Sequence, residues 1–165
     1  MKTSWKKDFE LPVGVSLSAQ RQIEVMTAKL GSTPERNLSF PCERYLSRYD
    51  HALFQGESID ASAPAVFRAL QQLTATGDVL EIELDRQLTF HLADKGFSGY
   101  CISETAATCL IVPRSTENCR LLLKVLLRYR SGWQSRLLRA PARLVLRNLL
   151  RHHLLAVKRM AEGAQ

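Results

Sequence analysis

Long apolar runs are missing from this chain. Its densest stretches, such as Cys109-Leu110-Ile111-Val112 and Leu121-Leu122-Leu123, are far too short to span a bilayer. Cysteine is scarce as well. The four residues at 42, 101, 109 and 119 form no CxxC pair and are too sparse for a disulfide scaffold. Met1-Lys2-Thr3-Ser4-Trp5-Lys6-Lys7-Asp8 has no apolar stretch after its basic residues, so no secretory signal is expected. A reducing, cytoplasmic setting is the expectation that follows. Signature loops are absent too. No GxGxxG or GxxxxGK[ST] phosphate loop occurs, no HExxH occurs, and Gly96-Phe97-Ser98-Gly99 lacks the GxSxG spacing of a nucleophile elbow. A catalytic constellation is not expected, and the residues call for no cofactor and no metal.

Acidic residues are missing from one region only. Residues 120–165 carry eleven Lys or Arg against the single acid Glu162, a balance of +10, whereas the whole chain stands at +7. The remainder is therefore mildly acidic. Such an asymmetry suggests attraction to a phosphate-bearing surface, or a solvated face that complements the acidic part. Between Arg136 and Arg159 there is no Phe, Tyr or Trp to stack on bases. Specific nucleic-acid recognition is accordingly not expected, and phosphate contact without base reading, or contact with anionic lipid headgroups, is the better match.

What is present is ordinary globular material. A hydrophobic share of 45% and a charged share of 24% over 165 residues predict one domain with one core. Residues 1–15 have no periodicity. Ser18 precedes a short helix to Leu30, with Ile23, Met26 and Leu30 at helical spacing and Gly31 as its stop, and 31–41 is turn-rich. His51–Asp60 has extended character. A helix follows, with Pro64 in its first turn, Ser62 as the cap, and Val66, Phe67, Leu70 and Leu73 on its apolar side. Period-two alternation then marks strands over 79–84 and 88–92, and a Thr-, Ile- and Val-rich strand runs from Glu104 to Val112.

The clearest strand is Cys119–Arg130. Leu121, Leu123, Val125, Leu127 and Tyr129 share one face, while Arg120, Lys124, Arg128 and Arg130 share the other, which predicts one packed and one wet face. From about Ser135 to Ala161 a long helix is expected, kinked at Pro141 or starting there. Ala142, Val145, Leu146, Leu149, Leu150, His153, Ala156, Val157 and Met160 form its broad apolar side. The later strands have no crossover helices between them, so the class is α+β with an antiparallel sheet.

The order and several short segments resemble the SRPBCC superfamily, the START-like, polyketide cyclase/dehydrase and lipid-transport group. The resemblance covers about 40–162. It is carried by Phe40-Pro41-Cys42-Glu43-Arg44-Tyr45-Leu46, by Ser58-Ile59-Asp60-Ala61-Ser62-Ala63-Pro64-Ala65-Val66-Phe67, and by the closing Leu154–Glu162. It implies a helix-grip fold, a curved antiparallel sheet around the C-terminal helix with an apolar cavity between them. It also implies an N-terminal extension over 1–39 and a START-like domain over 40–162. Some relatives are cyclases or aromatases. Only Thr74–Gly77 connects the first helix of this domain to the next strand, so the cavity is expected to be small, open at one end or collapsed.

Taken together, these readings point to non-catalytic binding of a small hydrophobic or lipid-like molecule. Alternation and helical phase nominate Phe90, Leu123, Val125, Leu127, Leu146, Leu149, His153 and Val157 as cavity lining, or equally as a filled core. Arg143, Arg147, Arg151 and Lys158 are nominated as an anionic-surface contact, the alternative function. Glu81, Glu83 and Asp85 read as the wet side of a strand, and the cysteines as small buried hydrophobes.

Overall fold

Alternation and helical phase place most elements where the sequence predicts them. The computed structural model describes Glu35, 38–74, 78–92 and 101–163. In chain order these residues form α1 (Cys42–Tyr45), β1 (His51–Ile59), α2 (Ala63–Thr74), β2 (Asp78–Glu83), β3 (Gln87–His91), β4 (Ile102–Pro113), β5 (Cys119–Tyr129) and α3 (Trp133–Glu162). The helix expected before Leu30 and the turn around Gly96 and Gly99 lie outside the described residues. The strands form one sheet in the order β1-β5-β4-β3-β2, with every neighbouring pair antiparallel. The first strand thus pairs with the last, from His51 opposite Leu127 to Ile59 opposite Cys119. Between β2 and β3 the chain turns through Asp85, whose φ of 58° is a left-handed conformation that Asp tolerates better than most residues.

Both faces of the sheet are covered. On one, Ile59, Leu88, Phe90, Ala107, Cys109, Ile111, Leu121, Leu123, Val125 and Leu127 form a single core with Val66, Phe67 and Leu70 of α2 and with α3. On the other, Leu122, Leu126 and Ala106 pack under Phe40, Cys42 and Leu46. The wet face expected for β5 is therefore half apolar and covered. Phe40 closes it, edge-on to Phe54 at 5.6 Å between ring centroids. The segment ending at Pro41, read from sequence only as turn-rich, here supplies a core side chain. A buried polar chain pins it: the Cys42 N–H donates to Thr108 Oγ1 at 2.9 Å, and Thr108 Oγ1 meets Thr89 Oγ1 at 3.0 Å.

The basic residues of β5 are absorbed by the same cover. Arg120 is only 4% exposed; it donates to Glu35 Oε1 at 3.2 Å and to Ser58 Oγ at 3.1 Å. Gly56 leaves room for it, since a Cβ there would lie 2.9 Å from Arg120 Nη2. Lys124 Nζ reaches Glu43 Oε1 at 2.6 Å, and only Arg128, paired with Glu104, stands well out in solvent. Along β2 and its turn the acids are no more exposed than the apolar residues. Glu81 is held by Arg44 at 2.8 Å and by Tyr45, while Ile82 and Leu84 are exposed.

Helix α3 runs unbroken through Pro141. A proline there removes the hydrogen bond to the Leu137 carbonyl, and both residues are exposed, so water can take that carbonyl. The buried positions are Ser135, Ala142, Leu146, Leu150, Leu154, Val157 and Ala161. They form a single line, narrower than the broad side expected, and Val145, Leu149 and His153 fall outside it. The helix is tied to the sheet along its length. Ser135 Oγ donates to Cys101 O at 3.2 Å, Gln55 Nε2 to Arg147 O at 2.9 Å, and Lys158 Nζ to Ser58 O at 2.8 Å. The Asp60 N–H closes the far end on Glu162 Oε1 at 3.0 Å.

Two outcomes follow from the double cover. Phe40→Ala should lower stability by about 3–5 kcal/mol, the usual cost of emptying a buried phenylalanine site, measured by chemical denaturation. All four cysteines are buried, and burial pushes the Cys109 thiol up to about 12 and the Cys119 thiol up to about 11. A colourless-to-coloured thiol reagent at neutral pH should therefore find no reactive thiol in the native protein and four on unfolding.

Candidate functional site

Three elements leave a gap where they meet. α2 contributes Leu70, Leu73 and Thr74; the sheet contributes Phe90, His91, Leu92, Cys109 and Leu123; α3 contributes Leu150, His153, Leu154 and Val157. The space they enclose is a cavity of about 170 Å³. Its inner wall is buried and apolar: Leu70, Phe90, Cys109, Leu123, Leu150, Leu154 and Val157. Its outer rim is only partly covered, and consists of Leu73, Thr74, His91, Leu92 and the exposed His153. The Cys109 thiol, held neutral by burial, belongs to the apolar wall.

The rim carries the polar groups, and most are already engaged. Thr74 Oγ1 donates to the Leu70 carbonyl of its own helix at 2.7 Å. His91 Nδ1 is hydrogen-bonded to the Thr105 carbonyl, which requires a proton on that nitrogen. Thr105 Oγ1 in turn bridges the Leu92 N–H and carbonyl at 3.1 and 3.0 Å, which secures the end of β3. His153 has no hydrogen-bond partner among the described residues, so its ring is free to meet a polar group entering at the mouth. Among the described residues no group of three or more His, Cys, Asp or Glu is arranged to hold a metal ion.

The nominated residues divide cleanly. Phe90, Leu123, His153 and Val157 line the cavity. Val125, Leu127 and Leu146 are buried in the core away from it. Leu149 is 46% exposed and forms no part of the wall. Its place is taken by Leu150 and Leu154, because α3 lies against α2 as well as the sheet, which turns the centre of its buried line by about 50° from the expected phase. Leu70, Leu73, Thr74, His91, Leu92 and Cys109 were not nominated. The apolar side of α2 was visible at helical spacing, but nothing local showed that its C-terminal turn would face β3 across a gap.

The basic nominees separate as well. Arg143, Arg147 and Arg151 are exposed on α3 and have no acidic partner among the described residues. Lys158 instead spends its charge within the fold, 3.4 Å from Glu57 and 3.7 Å from Glu162.

No family model matches the chain, and no curated protein matches it. Solved structures do. Norcoclaurine synthase from Thalictrum flavum superimposes with a TM-score of 0.51 at 9% identity, over 69% of this chain and 95% of that one. Protein MLL2253 from Mesorhizobium loti gives 0.50 at 12% identity, over 70% of this chain and 99% of that one. A START superfamily protein from Mycobacterium smegmatis gives 0.43 at 10% identity, over 70% and 97%. At these identities the likeness concerns the path of the backbone alone. With five antiparallel strands curved around one long C-terminal helix, this chain has an α+β helix-grip fold, the backbone path it shares with the norcoclaurine synthase and with MLL2253.

Proposed function

We propose that the domain spanning 40–162 binds a small apolar molecule in the cavity between α2, α3 and the sheet, and holds it without reacting with it. The observation that carries this reading is the wall itself: seven buried apolar side chains around about 170 Å³, with the polar groups confined to the rim. An apolar cavity of about 150 Å³ stays dry and accepts benzene, so this one suits a single aromatic ring or a short branched or acyl segment. It is smaller than the roughly 300–1,000 Å³ usual for drug-sized ligands, which disfavours a whole lipid. The norcoclaurine synthase with the similar fold is a point mutant in complex with a transition-state analogue, and that precedent supports a small organic ligand.

Burial sets the strength. A ring-sized ligand removes on the order of 200 Å² from water, which at about 25 cal/mol per Å² gives a ceiling near 5 kcal/mol. That corresponds to a dissociation constant of about 0.2 mM from burial alone. Tighter binding needs a polar contact, and His153 at the mouth is the residue placed to supply one.

Titration with benzene, phenol and indole, followed by ligand-observed NMR, tests the reading. The expected result is saturable binding that falls at least tenfold in Val157→Phe, whose added ring fills the cavity while cooperative unfolding is retained. Leu149→Arg should bind as the wild type does, because that side chain lies outside the wall. Folded wild type that binds none of the three saturably, or Val157→Phe that binds unchanged, would overturn the proposal. A second measurement concerns the mouth. His153→Ala should weaken phenol more than benzene, by roughly three- to tenfold in the ratio of the two constants, as expected for one hydrogen bond worth about 1 kcal/mol.

A further inference from the structure

The outward side of α3 carries large apolar groups that the fold does not use. Trp133 is 70% exposed, Leu137 68% and Leu144 62%. At about 100° per residue these three fall within about 40° of one another, in a row about 17 Å long. Arg136, Arg143 and Arg147 flank that row on one side, and Arg151 continues it; all four are exposed. From Trp133 to Ala161 the helix contains no acid at all. Arg139, by contrast, turns inward over the Tyr129 ring, 4.8 Å from its centroid, and takes no part.

Such a face, with an indole and two leucines in line among four exposed guanidinium groups, has a restricted set of partners. A second copy of the chain would bring the same arginines against themselves across a two-fold axis, and like charges repel. A nucleic-acid backbone would pair with the arginines but leave Trp133, Leu137 and Leu144 against phosphate. A bilayer surface rich in anionic headgroups satisfies both halves at once: the apolar row enters the headgroup and acyl boundary while the guanidinium groups stay at phosphate level. We propose that the N-terminal half of α3, from Trp133 to Arg151, docks this protein on anionic membrane, the helix lying in the plane of the interface. Among the described residues no helix is long and apolar enough to cross a membrane, so this contact is peripheral.

The face is distinct from the cavity, whose α3 residues begin at Leu150 and point to the sheet and α2. The proposal therefore stands whether or not the cavity binds a ligand.

The experiment uses the full chain in a Trp5→Phe background, which leaves Trp133 as the single tryptophan. Vesicles of phosphatidylcholine alone are compared with vesicles containing 30% phosphatidylglycerol, at low and high salt. The proposal expects Trp133 to emit as a water-exposed indole in the free protein, to shift to the blue with the anionic vesicles only, and to lose binding as salt rises. Two variants divide the contributions. Leu137→Ser with Leu144→Ser removes the apolar row, and Arg143→Gln with Arg147→Gln and Arg151→Gln removes the charge; each should weaken binding at least tenfold with melting unchanged. Equal binding to both vesicle types, or to neither at low salt, would overturn the proposal. So would a leucine variant that binds normally while duplex DNA competes, which would assign the arginines to nucleic acid. A Trp133 already shielded from acrylamide in the free protein would overturn it too, because the face would then be covered by the chain itself or by a second copy.

Discussion

Burial of β5 on both faces is the constraint from which the rest of the molecule follows. Its odd-numbered residues Leu121, Leu123, Val125 and Leu127 need cover from α2 and α3, and its even-numbered Leu122 and Leu126 need cover from somewhere else. Strands covered on one side only can leave the other side to water; this one cannot. The segment around Phe40 therefore has to fold back over the sheet, and Arg120 and Lys124 have to find acids beneath that cover. Glu35 and Glu43 provide them. A charge buried without such a partner would cost several kcal/mol, so the cover and its acids act as one unit.

The other face is organised by competition between three surfaces. Helix α3 is held on the sheet by Gln55 near its middle and by Lys158 and Glu162 near its end, while α2 lies against its side. Two partners at an angle leave room for only one narrow line of buried residues on α3. Where α2 ends, at Thr74, and β3 ends, at His91, the three surfaces diverge, and the cavity is the space they fail to fill. The cavity and the helix geometry have the same origin here. The narrowness of that line also explains why apolar residues such as Leu137 and Leu144 are left outside the core.

Much of this was legible in the chain. Period-two alternation located β2, β3 and β5, and Thr, Ile and Val content located β4, to within about two residues, and Pro64, Val66, Phe67 and Leu70 marked α2. The acid-free stretch after Arg120 announced an unusual charge distribution. What was not legible shares one cause. Alternation reports that a strand has two different sides, but Arg120, Leu122, Lys124 and Leu126 on one side read as wet only if no other segment returns to cover them. Likewise, helical phase showed a broad apolar arc on α3, but Leu149 and Leu150 both belong to that arc. Which of them faces inward depends on the position of α2.

The sequence by itself determined the class of the fold, the antiparallel order of the later strands, the long basic C-terminal helix and the burial of the cysteines as small hydrophobes. These depend on periodicity and composition, which are local properties of the chain. Tertiary structure alone decided the second core under Phe40, the engagement of Arg120, Lys124 and Lys158 within the fold, and the membership of the cavity wall. Each of those requires the relative placement of segments separated by tens of residues, such as Cys42 on Thr108 or Gln55 on Arg147. Side-chain spacing along one element carries no information about the direction from which another element arrives.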